Sequence, residues 1–535
     1  MSYIDVPNAS KGITKEDVLT FLNDIRSRKE FNQLSYGENT DVQTYASQFL
    51  QLHGPQIFVK NFTNNNTPYK RLFINWQTGT GKTIAALSIA REFVNKTKQK
   101  KIFIVGFTKQ LFINELLSHP EFGFISKEEL QTLKQLKQNA DQTSIKSNEN
   151  KKLTDYITQL KRRLTEVGYF KFYGYKELSN KLFLPTPKAY INNFDIKTLF
   201  KTSIIKRDRF LEELQIQIDA GNIVINEDLM NSMRHSLLIA DEIHNLYNME
   251  TENNYGVAIQ YILDTLSKDG PYTVLLSATP MTGSATEAID LLNLLIRKEY
   301  LPNGKHLLKS DYFDMTQAVS IPKSGTIETL GLLSAGRTSF LLDLGKSSYP
   351  KRIFEGENIS DIPYLKFTSC VMPNAQQMTI SSESCSVSSN FLYDFAFPDP
   401  DEEGSYITNS QDFKSKYSNA SETWKEQKGI QLLYDGPDII VSGPILQKDS
   451  LKLLSAKYAT LIDMILDVIK SKDSGKILVY HHMVHSTGVL FIQEILKMNG
   501  FIDDTTNPTN DTICNVCTLT KREHAIVFLL ANGLS

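Results

Sequence analysis

Short apolar runs with strand character recur along the first half of the chain, and polar segments with helical spacing separate them. Five runs stand out, at residues 71–75, 101–106, 170–174, 236–240 and 272–277. A strand that is buried on both faces reads as a continuous apolar run, so we expect a parallel sheet with helices on both sides. The pattern therefore predicts an α/β fold.

Helices are also predicted outside this region. Thr14 and Asp17 have the spacing of a capping box, which marks the start of a helix near the beginning of the chain, and the alternation of strands and helices returns after residue 447. Helices are predicted over 15–29, 43–63, 450–472 and 487–498, and a further strand over 476–480.

Two segments interrupt this pattern. Residues 127–163 are polar and helical, with nine Lys/Arg against five Asp/Glu. They are either a solvated helical hairpin inserted at a loop or a nucleic-acid contact surface. Residues 380–446 are rich in Ser, Asp, Tyr and Asn, and they are predicted to form a long, irregular and partly mobile insertion.

Composition narrows the class of protein. The 535 residues include 58 Lys+Arg and 60 Asp+Glu, so a uniformly basic coat for nucleic acid is excluded but a local basic patch is not. Four cysteines are too few for a disulfide framework and suit a reducing compartment. No apolar run reaches the roughly 18 residues of a membrane span. We expect a soluble, intracellular protein without a membrane partner.

A glycine-rich loop carries the strongest chemical signal. The segment FINWQTGTGKTIAALSIA (73–90) joins a strand to a helix through glycines, which let backbone N–H groups close around phosphate oxygens. Lys82 would neutralise the outer phosphates of ATP, and the Thr83 hydroxyl would bind Mg²⁺. The strict phosphate-loop pattern has glycine where Trp76 stands. The predicted ATP-binding residues of the loop are Thr78, Gly79, Thr80, Gly81, Lys82 and Thr83.

Two adjacent carboxylates end the strand in SLLIADEIHNL (236–246). Because parallel sheets bind ligands at the carboxyl ends of their strands, Asp241 is predicted to hold Mg²⁺ through water. Glu242 would orient and deprotonate the attacking water. His244 is predicted to relay the nucleotide state to neighbouring motifs. With Lys82, these three form the predicted catalytic set.

Small hydroxyl residues follow the next apolar strand, in LLSATPMTG (275–283). Ser277, Ala278 and Thr279 are predicted to bond the acidic motif and to couple it to the rest of the protein. The pattern is informative because it follows GTGKT and DEIH in that order.

GKT, DEIH and SAT in this order and spacing resemble motifs I, II and III of superfamily 2 helicases and translocases. The resemblance extends to Gln56, 26 residues before Lys82, which matches the glutamine that reads the adenine base in this superfamily. IVGFTKQLFINEL (104–116) resembles motif Ia, in which Thr108 would contact a nucleic-acid phosphate.

Further segments resemble one branch of this superfamily, found in large nucleocytoplasmic DNA viruses. That branch includes the poxvirus early transcription factor small subunit and nucleoside triphosphate phosphohydrolase I. The matching segments are TPYKRLFINWQTGTGKT, SAGRTSFLLDLGKSSYPKRIFEG, TSCVMPNAQQ and GKILVYHHMVHSTGVLFIQEILKMNGF.

The resemblance implies two RecA-like lobes that bind ATP and Mg²⁺ and contact DNA phosphates with little sequence preference. It also implies a viral RNA polymerase or another transcription-factor subunit as partner, and a location in the virion and the host cytoplasm, at the viral factory. The expected parts are an N-terminal helical extension over 1–42, a first lobe over 43–350 with a helical basic insertion near 120–168, and a partial second lobe over 351–535 with the irregular insertion near 380–446.

One feature of the superfamily has no counterpart in this sequence. Motifs V and VI, the latter carrying an arginine finger, follow the motif IV region in the family, and no such stretch precedes Ser535. An arginine finger contributes roughly 10³ to 10⁵ in rate to phosphoryl transfer. The chain is therefore a fragment of a longer protein, a product that needs a partner, or an ATPase of reduced activity.

Cys514, Cys517 and His524 have a spacing close to that of a zinc knuckle. Structural zinc sites normally have four ligands, and a fourth is not evident nearby. Two interpretations stay open. Other residues complete a zinc site in one, and the cysteines are ordinary thiols in a loop in the other.

These motifs favour a DNA-dependent ATPase or translocase that acts in viral early transcription. Two alternatives stay open. The first alternative is a non-catalytic, nucleotide-binding assembly subunit. The second is an RNA helicase that acts in viral RNA processing.

Overall fold

The computed structural model describes most of the chain. The described residues are 3–32, 52–96, 101–106, 109–141, 148–165, 168–196, 200, 210–247, 254–281, 284–316, 320–341, 355–359, 362–379, 390–436, 438–470, 477–503 and 527–528. Contacts within the chain divide it into two compact units, residues 1–350 and 351–535.

Ten strands and fifteen α-helices belong to the described part of the first unit. The strands are β1 Arg71–Trp76, β2 Ile102–Val105, β3 Phe170–Tyr173, β4 Phe183–Pro185, β5 Ile223–Ile225, β6 Leu237–Asp241, β7 Tyr272–Leu276, β8 Phe313–Asp314, β9 Ile321–Pro322 and β10 Thr338–Leu341. The helices are α1 Lys15–Ser27, α2 Lys29–Asn32, α3 Gly54–Phe62, α4 Lys82–Lys96, α5 Lys109–Ser118, α6 Lys127–Asp141, α7 Asn148–Thr165, α8 Tyr175–Leu182, α9 Pro187–Ile191, α10 Phe210–Asp219, α11 Glu227–Met233, α12 Gly256–Leu266, α13 Glu287–Leu295, α14 Lys309–Tyr312 and α15 Thr326–Ser334.

A six-stranded parallel sheet forms the centre of the first unit, in the order β10-β1-β7-β6-β2-β3. All five apolar runs of the sequence become strands of this sheet, so the predicted α/β fold is confirmed. The sixth strand, β10, was not predicted; it lies at one edge of the sheet and is only partly buried, with Phe340 61% exposed. Its pairing with β1 begins at Phe73, whose N–H donates to the Arg337 carbonyl at 2.7 Å.

Continuous apolar strands arise because the sheet has a hydrophobic cluster on each face. Along β1, Leu72 and Ile74 pack into one cluster, whereas Phe73 between them packs into the other. The neighbouring strands alternate in the same way, since strand side chains point to opposite faces in turn. Members of the two clusters on β2 and β6 are Ile102, Ile104, Leu237 and Ile239 on one face and Phe103, Val105, Leu238 and Ala240 on the other.

A buried arginine attaches the N-terminal residues to the first unit. Arg337 is 2% exposed, and its guanidinium donates to the carbonyls of Leu333 at 3.2 Å and Pro7 at 2.6 Å. The Tyr69 hydroxyl donates to the Ile4 carbonyl at 3.0 Å. Because a buried guanidinium is costly without acceptors, these carbonyls are part of what stabilises this corner of the fold.

Helices α6 and α7 form the hairpin predicted over residues 127–163. Leu133, Leu160 and Leu164 are buried in the hydrophobic cluster of the first unit. Arg163 forms an ion pair with Glu129 across the two helices. The hairpin is therefore packed against the first unit along one face.

The second unit has six short strands and seven α-helices in its described part. The strands are β11 Glu357–Ile359, β12 Ile362–Phe367, β13 Gln431–Asp435, β14 Asp438–Ser442, β15 Ile502–Asp503 and β16 Val527–Phe528. The helices are α16 Asn374–Thr379, α17 Asn390–Asp394, α18 Ser410–Asn419, α19 Glu422–Lys428, α20 Lys448–Leu454, α21 Ala456–Lys470 and α22 Val489–Met498. Two antiparallel hairpins, β11–β12 and β13–β14, and a parallel pair, β15–β16, account for its strand pairing.

The structure differs from the prediction of an irregular insertion over 380–446. Its described part folds into three helices and a hairpin, and its aromatic residues form much of the core of the second unit. The ring of Phe397, 1% exposed, lies 4.7 Å from that of Phe391 and 4.6 Å from that of Phe413. The polar composition of the whole segment hid this core, because its apolar contacts come from one short aromatic run at 391–397 and from single residues beyond it.

A buried carboxylate joins several parts of the second unit. Asp394 accepts hydrogen bonds from Lys457 at 2.5 Å and Thr487 at 2.7 Å, and it lies 3.2 Å from Nε2 of His481. Burial lowers the pKa of His481, and the Asp394 charge opposes that change. Residues 477–480, part of the predicted strand, lie in no strand of the described structure.

No helix in the described ranges combines the length and the apolar character that crossing a membrane requires.

Candidate nucleotide-binding site

The phosphate-binding pattern folds as the loop between β1 and α4. Gly79 and Gly81 both adopt left-handed backbone conformations, with φ of 84° and 81°. These conformations favour glycine, so the sequence GTG is what allows the chain to turn from the sheet into the helix. Thr80 is buried and fixes the turn, since its hydroxyl donates to the Gln77 carbonyl at 2.7 Å.

Trp76 stands where the strict pattern has glycine, and its environment explains the substitution. It is the last residue of β1 and 1% exposed, and its indole N–H donates to the Ser339 hydroxyl on β10 at 3.0 Å. The side chain therefore belongs to the sheet and leaves the loop that follows unobstructed.

Lys82 begins α4 and lies at the centre of the site. Its ammonium group donates to the carbonyls of Trp76 at 3.0 Å and Gln77 at 3.3 Å. Partial burial lowers the pKa of Lys82, and the charges of Glu242 and Asp241 oppose that change. The structure thus brings the predicted lysine and the two predicted carboxylates within electrostatic reach of one another.

Gln56 contacts the phosphate loop directly. Its side-chain amide donates to the Gly81 carbonyl at 3.2 Å, and its side-chain oxygen accepts from the His53 N–H at 2.9 Å. A side chain at Gly81 would clash with this amide, because a Cβ there would lie 2.4 Å from Nε2 of Gln56. The glutamine predicted to read adenine is therefore placed against the loop, and its role in adenine recognition stays a prediction.

Three motifs meet because their strands are neighbours in the sheet. The phosphate loop follows β1, the SAT segment follows β7 and the DEIH segment follows β6, and β7 lies between the other two strands. All three strands are parallel, so their carboxyl ends share one edge. The order of the strands brings together motifs that are far apart in sequence.

Asp241 and Glu242 stand at the end of β6 in different environments. Asp241 is 5% exposed, whereas Glu242 is half-buried. A hydrogen bond from His244 lowers the pKa of the Glu242 carboxyl, and the positive charge of Lys82 acts in the same direction. Glu242 is thereby kept ionised, which a group that accepts a proton from water requires.

His244 connects the acidic motif to the SAT segment. Its Nδ1 lies 3.2 Å from the Ser277 hydroxyl and 3.3 Å from the Glu242 carboxylate, and its Nε2 lies 3.1 Å from Nδ2 of Asn245. Because the Asn245 amide is a donor, Nε2 accepts and the proton is assigned to Nδ1, between Glu242 and Ser277. The Ser277 hydroxyl in turn accepts from the Thr279 N–H at 3.1 Å.

Two supporting residues were not predicted to act here. Asn245 directly follows DEIH, and it holds the His244 ring from the far side. Tyr175, fully buried on α8, donates its hydroxyl to the Asp241 carbonyl. Burial raises the pKa of Tyr175 well above its ordinary value, so the hydroxyl stays protonated and can donate. The adjacency of Asn245 is visible in the sequence, but the contact of Tyr175 depends on the fold.

The remaining predicted residues divide into two groups. Thr78 and Gly79 are exposed on the loop, Thr83 is half-buried in the first turn of α4, and Ala278 is half-buried after β7. Four others lie outside the described residues, namely Thr108, Cys514, Cys517 and His524. Within the described ranges, no cluster of three or more His, Cys, Asp or Glu residues forms a metal site.

The residues at this edge suit a nucleotide phosphate group with its cation. The loop offers backbone N–H groups at positions where glycine leaves space, and Lys82 supplies a positive charge. Thr83 and Asp241 supply oxygen ligands of the kind that Mg²⁺ prefers. A glycine loop between a strand and a helix, with carboxylates on a nearby parallel strand, is the arrangement of a phosphate-loop nucleotide-binding domain.

Comparison with known proteins agrees with this class. Residues 49–282 match the family described as type III restriction enzyme, res subunit. The matched segment contains all three motifs, GKT, DEIH and SAT, and the resemblance to superfamily 2 proteins of large DNA viruses is confirmed.

Viral proteins are similar to this chain over most of its length. An African swine fever virus protein named early transcription factor large subunit homolog, from the isolate Tick/Malawi/Lil 20-1/1983, is 40% identical over 528 residues, which cover 90% of this chain and 48% of that protein. A protein of Acanthamoeba polyphaga mimivirus named as an ATP-dependent RNA helicase is 25% identical, over 93% of this chain and 43% of that protein. A protein of invertebrate iridescent virus 3 named as a helicase is 23% identical, over 91% of this chain and 41% of its own length.

The chain spans about half the length of these relatives. The African swine fever virus protein is named for a large subunit, whereas the sequence motifs resemble the poxvirus small subunit.

Proposed function

We propose that this chain is an ATP-hydrolysing module of a viral early transcription protein and that DNA stimulates its ATPase. The observation that carries the proposal is the meeting of Lys82, Asp241 and Glu242 at one edge of the parallel sheet. A lysine on a phosphate loop and a carboxylate that stays ionised are two of the groups that phosphoryl transfer to water uses.

Each residue has a separate role in this reaction. Lys82 neutralises charge on the outer phosphates, exchanging its contacts with the loop carbonyls for phosphate oxygens. Thr83 and Asp241 are the residues that would hold Mg²⁺, which supplies charge neutralisation on the phosphates when it is bound. Glu242 accepts the proton of the attacking water. Gln56, already bonded to the phosphate loop, selects adenine.

His244 reports the state of Glu242 to the rest of the protein. A proton gained by Glu242 weakens its bond to His244, and the same imidazole N–H faces the Ser277 hydroxyl. Ser277, Ala278 and Thr279 lead away from the site, so a change in this bond alters the segment after β7. We assign coupling between hydrolysis and nucleic-acid binding to this path.

The names of the African swine fever virus relatives, early transcription factor large subunit homologs, support DNA as the polymer that stimulates the ATPase. With this assignment we also propose a partner, which is another subunit or the viral RNA polymerase. The proposed location is the virion and the viral factory. RNA is a second candidate, because two mimivirus relatives are named as ATP-dependent RNA helicases.

Steady-state ATP turnover of the 535-residue chain tests the proposal, measured alone, with duplex DNA and with RNA. We expect turnover that DNA stimulates, and its loss in Lys82→Ala but not in the exposed control Lys298→Ala. ATP binding without turnover would favour the non-catalytic subunit, and stimulation by RNA alone would favour the RNA helicase. Equal turnover in wild type and Lys82→Ala would refute the ATPase assignment.

A further inference from the structure

The hairpin of α6 and α7 presents a basic surface on a fixed support. Its apolar face is buried in the cluster of the first unit, and Arg163 adds bonds to Glu129 and to the Phe124 carbonyl at 3.1 Å. The Tyr156 hydroxyl lies 3.5 Å from the Glu129 carbonyl. Since one face is anchored in this way, the other face has a defined position on the molecule.

The outward surface of the hairpin is strongly positive. Residues 127–139 and 150–165, whose side chains are described, include eight Lys/Arg and only three Asp/Glu. Lys134, Lys137 and Lys151 are exposed, and among the described residues none of them forms an ion pair with a carboxylate. The whole chain has a net charge of −2, so the charge of the hairpin is a local concentration rather than a general property.

The hairpin reaches the helix that begins after β2. Lys161 on α7 donates to the side-chain oxygen of Gln110 at 3.0 Å, and Gln110 lies in the first turn of α5. Helix α5 starts where the chain leaves the carboxyl end of β2, the same edge of the sheet as the nucleotide site. Lys151 precedes Lys161 by ten residues, so it lies about 15 Å further along the helix axis, away from the connection to β3.

We propose that the distal half of this hairpin, residues 134–139 and 150–158, binds the phosphate backbone of duplex DNA. This inference rests on the proposed function, because it gives the DNA that is proposed to stimulate the ATPase a contact surface on the hairpin. Lys134, Lys137 and Lys151 supply the charge, and the contact of Lys161 with Gln110 fixes the hairpin beside α5. Backbone phosphates carry no sequence information, so the contact adds affinity without base preference.

A phosphate backbone fits this surface better than a protein does. Protein interfaces are depleted in lysine and centred on buried apolar or aromatic anchors, whereas the outward residues here are mostly lysines, glutamines and threonines, with Asp155 as the one exposed acid among residues 134–139 and 150–158. Unpaired lysines on a helical hairpin instead match the dense, regular charge of a duplex, from which they release counterions.

The test compares two triple variants with the same change in charge. The first is Lys134→Gln, Lys137→Gln and Lys151→Gln, and the matched control replaces three exposed lysines elsewhere in the unit, as Lys188→Gln, Lys298→Gln and Lys305→Gln. Glutamine is a good helix former, so α6 and α7 are retained. Fluorescence anisotropy measures the affinity for a labelled DNA duplex over a series of salt concentrations.

Loss of three phosphate contacts lowers the slope of log affinity against log salt by about 2 to 3 and weakens binding at least about tenfold near physiological salt. We expect this result for the hairpin variant only, with binding restored when the same lysines are replaced by arginine. ATP turnover without DNA should not change in either variant.

The hairpin proposal and the proposed function fail in different ways. If the wild-type chain does not bind DNA, the DNA assignment of the whole protein fails. If the wild type binds and the two triple variants weaken binding equally, only the hairpin proposal is overturned. The same titration with an RNA duplex separates the two polymers, and a loss seen with RNA alone would overturn the DNA assignment of this surface.

Discussion

Glu242 has a backbone conformation that residues with a Cβ seldom adopt, with φ 53° and ψ 55°. The left-handed region costs such a residue about 1–2 kcal/mol. The turn it makes directly after β6 returns His244 to within 3.3 Å of the Glu242 carboxylate. Strain of this kind persists where the surroundings fix it, and here it orients the group to which we assign proton transfer.

The bond between His244 and Glu242 predicts how turnover depends on pH. In His244→Ala, Glu242 loses the interaction that does most to lower its pKa, so its pKa rises. Glu242 acts as an ionised carboxylate, and it therefore becomes protonated at a higher pH in the variant. We expect turnover to fall at a higher pH during acidification than in the wild type, as measured by steady-state ATP turnover over the acidic range.

A matched histidine serves as control for this prediction. His119 also lies beside a glutamate, Glu115, with 3.0 Å between Nε2 and Oε2. His119→Ala should leave the acidic limb of turnover unchanged. Superimposable acidic limbs for wild type and His244→Ala would show that this bond does not set the ionisation of Glu242.

At the residue scale, the sequence identifies the groups that carry out the chemistry better than it identifies the residues that hold those groups in place. Lys82, Asp241 and Glu242 are recognisable because their residue types and spacing are required by the reaction. The contact of Tyr175 with the Asp241 carbonyl could not be predicted, because the two residues are 66 positions apart and meet only when α8 and β6 are packed. Gln56 was predicted to contact adenine, and its bond to Gly81 also depends on the position of α3.

At the scale of elements, burial decides which predictions hold. Strands β1, β2, β6 and β7 were predictable because both faces of each strand are buried, which produces a continuous apolar run. Strand β3 lies at an edge of the sheet and is only partly buried, and its aromatic residues made it recognisable. The edge strand β10 lacks that signal. Residues 390–446 lack it for most of their length, since their core combines a short aromatic run, in which Phe395 and Phe397 are fully buried, with single residues farther along a polar segment, such as Phe413 and Tyr417.

The aromatic core of the second unit predicts a large effect of one substitution. Phe397→Ala removes a ring that packs against Phe391, Phe395 and Phe413, and such cavities cost about 3–5 kcal/mol. We expect hydrogen exchange of backbone amides in residues 390–446 to report a fall of this size in the free energy of opening. An irregular, mobile segment would show little protection in the wild type and no change in the variant.

An exposed aromatic residue of the same unit is the control for this prediction. Tyr434 on β13 is 67% exposed, so Tyr434→Ala should change the free energy of opening by no more than about 0.5 kcal/mol.

At the scale of the whole molecule, the chain combines a unit built on a six-stranded parallel sheet with a second unit of different construction. The first unit holds the nucleotide site and the basic hairpin, and the second is built from helices around an aromatic core. The overall charge is close to neutral, so contact with a nucleic acid depends on local patches such as the hairpin. The apolar runs predicted five strands of the sheet in the first unit and the motifs predicted its nucleotide site, whereas the second unit has no comparable signal.

The most direct test of ATP hydrolysis at this site is turnover by Glu242→Gln, measured together with ATP binding. The variant keeps the shape of the side chain but cannot accept a proton, so we predict unchanged ATP affinity and turnover lower by about 10²–10⁴-fold. The exposed control Glu212→Gln should match the wild type. Wild-type turnover in Glu242→Gln would contradict the account, because the reaction would then not use the carboxylate that the fold places beside Lys82.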